Sequence, residues 1–142
     1  MSSLERLKAL TDKIATHEVT RKQNLKELKD LYNALDIGKK HADFKTIFEY
    51  KAMNLSGISL QESDLLTPKI KRYVQIIAIT YEDDRGIMRA KNRSLAYFGR
   101  AENLDIETRK LIVEFIFRWR YEKSFHHVQY YSDMIDSLKK IL

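Results

Sequence analysis

Thr67-Pro68-Lys69-Ile70-Lys71-Arg72-Tyr73-Val74-Gln75-Ile76-Ile77-Ala78-Ile79-Thr80-Tyr81, running on through Glu82-Asp83-Asp84-Arg85-Gly86 to Gly99, can be read as helix or as strand. Thr67 has the side chain of an N-cap, and Pro68 suits a first helical position, where no backbone N–H is required. Ile70, Val74, Ile77, Tyr81, Met88, Leu95 and Phe98 then continue at helical spacing to Gly99. A strand over Tyr73 to Ile79 would suit the β-branched Val74, Ile76, Ile77 and Ile79. The capped start and the long period favour a basic helix over 68–98, kinked or broken at Glu82 to Gly86.

Downstream, Asp105 to Leu142 contains neither proline nor glycine. Phe117, Tyr121, Ser124, Val128, Tyr131, Ile135, Leu138 and Leu142 follow a 4-3 spacing along one helix face. Ile112, Ile116, Trp119, Tyr130, Met134 and Ile141 form a second stripe. A helix apolar on two sides is expected at the centre of a fold, so 105–142 is predicted as a central aromatic helix capped by Asp105.

Upstream, Ser2 and Glu5 have the spacing of a capping box. Leu4, Leu7, Thr11, Ile14, Glu18, Arg21, Leu25, Leu28, Tyr32 and Leu35 form a 3-4 repeat that ends before Gly38. This predicts a coiled-coil-like helix over 3–37, either antiparallel within the fold or one side of a dimer. Residues 38–66 read as a short helix and a loop, with Asp43 as a cap. Ala52 to Ser59 resembles the turn of a helix-turn-helix, but the Ala-to-Gly spacing is one too long, and Ser63 stands where an apolar residue is needed. A loop is the better reading.

With 4 Gly and 1 Pro in 142 residues, the chain lacks the turn residues of an all-β protein. The expectation is one all-α domain over 1–142: three long amphipathic helices, one or two short ones, and a helical bundle. With no cysteine, thiolate chemistry and cysteine–zinc sites are excluded. Met1 to Leu10 lacks a signal-peptide core and no run is long enough to span a membrane, so the expected location is the cytoplasm, in a bacterium or a virus-infected host cell.

The net charge of +6 is concentrated: residues 69–123 hold 13 Lys+Arg against 8 Asp+Glu. Within that block Arg85, Arg89, Arg93 and Arg100 fall at i, i+4, i+8 and i+15, along one side of a continuous helix, with Lys91 beside them. Guanidinium forks pair phosphates and neighbouring aromatics can stack on bases, so this row is the leading nucleic-acid-binding candidate. Its plainer reading is a solvated face paired to Glu82, Asp83 or Glu102. Lys71 and Arg72 could join it, as could Arg118 and Arg120, although those flank aromatics expected in the core. Glu122, His126 and His127 lack a third metal ligand at matching spacing. No nucleophile–base pair and no glycine-rich cradle is present, so the expectation is a non-enzymatic protein without cofactor or metal.

Thr67-Pro68-Lys69-Ile70-Lys71-Arg72-Tyr73, Tyr97-Phe98-Gly99-Arg100-Ala101 and Tyr130-Tyr131-Ser132-Asp133-Met134-Ile135 resemble motifs of the phage recombination-mediator proteins of the UvsY type. The resemblance covers Pro68 to Leu142; the N-terminal helix would be an addition, and the family's basic tail is missing. It implies a homo-oligomer that binds single-stranded DNA and helps load a recombinase, with Lys71, Arg72 and Arg100 as basic contacts. Two functions therefore stand as expectations. The first is a nucleic-acid-binding accessory protein, for DNA or RNA. The second is a protein–protein adaptor or inhibitor acting through its heptad helices.

Overall fold

The computed structural model describes residues 1–40 and 43–142. Its long elements run in the order α1 (Ser3–Ala34), β1 (Ala52–Ser56), β2 (Tyr73–Asp84), β3 (Ile87–Arg100) and α2 (Ile106–Ile141). The fold is mixed, not an all-α bundle: the predicted helix over 68–98 is a β-hairpin, and β1 adds a third antiparallel strand in the order β1-β2-β3. The β1 strand also replaces the loop expected around Ala52 to Ser59.

Local chemistry accounts for the hairpin. Arg85 and Gly86 both have positive φ (55° and 85°), and Asp84 pairs directly with Ile87, a two-residue turn whose twist matches the strands it joins. Asp83 Oδ1 accepts the Gly86 N–H at 2.8 Å and fixes the turn. Thr67-Pro68 starts no helix. Pro68 bridges to Ile58, and the Lys69 N–H donates to the Gly57 carbonyl at 2.8 Å. The β-branched run from Val74 to Thr80 then outweighs the helical period, because alternate residues bury: Val74, Ile76 and Ala78 are fully enclosed while their neighbours are not.

The two helices meet expectation more closely. Ser2 and Glu5 form a reciprocal capping box, and the Asp105 carboxylate accepts the Thr108 N–H at 2.8 Å. The α1 residues Leu4, Leu7, Thr11, Ile14, Glu18, Arg21 and Leu25 are the half-buried positions of their face, and Leu28 and Tyr32 enter the core. α2 runs antiparallel beside α1, joined through the polar contacts Arg21–Glu122 and Asn24–Arg118. The seam is thus occupied within the chain. At about 48 and 54 Å, the helices reach well beyond the sheet.

The core lies where the inner sheet face meets the helices. Val74, Ile76, Ala78, Met53 and Leu95 share it with Ile112, Phe115, Ile116 and Trp119 of α2 and Leu28 and Leu31 of α1. Only the first half of α2 is central: Ile112, Ile116 and Trp119 are buried, whereas Tyr130, Met134 and Ile141 of the same predicted stripe are exposed, as are Phe117, Tyr121, Tyr131 and Leu138 of the other.

Candidate nucleic-acid interface

Every residue from Tyr81 to Ser94 is exposed, so the hairpin continues past the core as a two-stranded ribbon. Arg89, Lys91 and Arg93 still share one face. A spacing of four or two returns to the same side of a strand, just as a spacing of four returns near the same side of a helix. Of the four arginines, Arg89 and Arg93 therefore stay on one side, joined by Lys91, but their environment differs. Arg89 Nε lies 3.2 Å from Asp84 and Lys91 Nζ 3.4 Å from Glu82, exposed pairs along the same face. Arg93 lines a cleft of about 450 Å³ with Thr46, Glu49, Tyr50 and Thr80. Arg85 stands at the turn.

Arg100 leaves the row. Seven residues, an odd number, separate it from Arg93, and the two register shifts at Val74/Gln75 and Ile76/Ile77 cancel in parity, so Arg100 pairs with Tyr73 on the opposite face. Its Nε lies 3.0 Å from Glu102, whose other oxygen accepts the Lys71 N–H at 3.1 Å. Hydrogen bonds from its own backbone and then from Lys71, with the Arg100 charge adding, hold the Glu102 carboxyl below its usual range against an opposing desolvation effect. Lys71 and Arg72 are exposed beside this end of the sheet, with no helix dipole to oppose them.

Arg118 and Arg120 serve packing. Arg118 donates to Glu114 and Asn24 at 2.7 and 3.0 Å. Arg120 donates to the Met53 carbonyl at 2.9 Å and to Asn54 Oδ1 at 3.2 Å, fastening edge strand β1 to α2. Glu122, one of the three side chains weighed for metal binding, is buried against Arg21 Nε at 2.8 Å. Among the described residues no group of three His, Asp or Glu side chains could hold a metal ion.

The helical reading hid the outer face of the sheet. Alternation places Tyr73, Gln75, Ile77, Ile79 and Tyr81 on the side away from the core, with Tyr97 opposite Gln75. Tyr73, Tyr81 and Tyr97 are 53%, 52% and 54% exposed. The Tyr73 and Tyr97 rings are 5.9 Å apart and inclined at 33°. Lys71, Arg72 and Arg100 stand at the tyrosine-rich end, and Asn92 and Ser94 add polar groups along the edge strand. The period-two tyrosine and isoleucine pattern of β2 was the available signal.

No described helix is long and apolar enough to cross a membrane. Comparisons with known protein families, with characterised proteins and with solved structures find no match.

Proposed function

We propose that this chain is a non-enzymatic nucleic-acid-binding accessory protein that holds single-stranded segments on the outer face of its sheet. The observation that carries the reading is the half-exposed Tyr73–Tyr97 pair beside Lys71, Arg72 and Arg100. Unpaired bases can lie against tyrosine rings while the cations hold phosphates; paired bases in a duplex keep their faces stacked inside. Arg85 stands at the hairpin turn, and Arg89 and Lys91 lie on the other face of the ribbon, where a strand that crosses its edge would meet them. Exposed ion pairs contribute about 0–1 kcal/mol, so Arg89 and Lys91 can exchange Asp84 and Glu82 for phosphates at small cost.

Fluorescence anisotropy with single- and double-stranded oligonucleotides tests this. Tighter binding of the single strand is expected, with log affinity falling against log salt at a slope of about −3 if four phosphates are neutralised. Replacing Tyr73 and Tyr97 together by Ala should weaken single-strand binding about 30-fold or more, since two stacked bases at about 1–3 kcal/mol each contribute at least about 2 kcal/mol. No binding at low salt, or an unchanged double variant, would end the proposal.

A second reading, a protein–protein adaptor or a homo-oligomer, is supported by a groove of about 850 Å³ between the helices, lined by Val19, Leu65, Val113, Phe117 and Tyr121. The heptad seam itself packs inside the chain, so docking would use this groove. Light scattering across a concentration series should show self-association that Phe117→Asp with Tyr121→Asp abolishes. A constant monomer mass would reject the oligomer.

A further inference from the structure

We infer that a separate pocket, between α1, α2 and the Phe44–Glu49 segment, binds a nucleoside polyphosphate. The pocket has a volume of about 500 Å³, within the usual range for small-ligand sites. Lys26, Lys29 and Lys45 stand on its rim, and none forms an ion pair among the described residues. Arg21, also on the wall, is already committed to Glu122. Three uncompensated ammonium groups around one opening favour a ligand with several negative charges. Lys26 and Lys29 lie one helical turn apart, so they flank a chain of phosphates from the same side.

The interior of the pocket asks for something other than phosphate. Phe44 and Phe48, edge to face at 5.5 Å, and Leu25 form an apolar wall suited to a flat ring. Glu122, also in the lining, is 3% exposed and committed to Arg21. Multiple anionic charges and a planar ring together describe a nucleotide with two or more phosphates.

Isothermal titration of the full chain with ADP, GDP, adenosine and pyrophosphate tests the assignment. At least one nucleotide should bind, adenosine should not bind measurably, and pyrophosphate should bind at least 10-fold more weakly than the nucleotide. Lys26→Glu with Lys29→Glu should weaken the nucleotide 10-fold or more. Tyr73→Ala with Tyr97→Ala should leave it unchanged, which separates this pocket from the sheet face. Absence of binding by both nucleotides, an unaffected lysine variant, or pyrophosphate binding as tightly as nucleotide would each overturn the proposal.

Discussion

Gly57→Ala is expected to lower stability by about 2–5 kcal/mol, a large part of the 5–15 kcal/mol that holds a typical domain folded. Gly57 follows β1 with φ +85°, a left-handed conformation that costs other residues about 1–2 kcal/mol. An added Cβ would stand 2.7 Å from the Tyr73 carbonyl oxygen, 2.9 Å from its carbon and 2.8 Å from Val74 Cγ2. Two of these neighbours are strand backbone and cannot swing aside, so overpacking adds about 1–3 kcal/mol. Gly86 and Gly99 have similar φ values of +85° and +90°, but a methyl group at either would meet nothing within 4 Å. Their alanine variants should lose only the conformational part. Urea titrations of the three variants decide it: a Gly57→Ala midpoint no lower than that of Gly86→Ala would refute the argument. Because the displaced atoms belong to Tyr73, the variant should also weaken oligonucleotide binding.

Trp119→Ala should cost about 3–5 kcal/mol, the range for deleting a large buried aromatic. Trp119 is 2% exposed and donates its indole N–H to the Ile47 carbonyl at 2.9 Å. One turn along α2, Lys123 Nζ reaches the Phe48 carbonyl at 2.7 Å, so α2 holds the Phe44–Glu49 segment by its main chain. Burial and then the nearby Lys51 charge lower the Lys123 pKa from its ordinary value, the expected response of an ammonium group drawn into the protein. Trp119→Phe keeps much of the ring but leaves the Ile47 carbonyl without its donor, costing about 1–3 kcal/mol. Urea unfolding followed by far-UV circular dichroism measures both variants, since replacing the single tryptophan removes its fluorescence. Equal stabilities for Trp119→Phe and the parent would show that the hydrogen bond contributes little.

Helix starts and the α1 seam were legible because their signals are local: Ser2 with Glu5, Asp105 before Thr108, and the repeat from Leu4 all appear in the sequence as they act in the fold, whereas α1 stops at Ala34, short of the expected 37, with Asp36 and not Gly38 in the left-handed conformation. The hairpin was hidden by arithmetic. Apolar residues at intervals of four fit either period, and Pro68 looks like a helix start when its partner Ile58 is out of view. The decisive local feature was Arg85-Gly86, whose positive φ values make a turn where a helix kink was expected. The basic row was found because its even spacing survives the exchange of helix for strand. Arg100 was misplaced because its odd spacing from Arg93 puts it on the other side of a strand, and the tyrosine face went unseen because it exists only when β2 is extended. Arg118 and Arg120 show the converse: their carbonyl and carboxamide acceptors lie roughly 65 to 95 positions away in sequence.

Leu4 and Lys8 share a shallow cleft with Asp136, Lys139 and Lys140, and Lys139 reaches Thr11 at 3.1 Å. The polypeptide is therefore almost a closed ring, its two ends meeting at the tip of the helix pair farthest from the sheet. A short peptide joining 142 to 1 would close that ring, and cutting between Arg85 and Gly86 would reopen it at the hairpin turn. The result would be a circular permutant with the same layers but with β2 and β3 as its free ends.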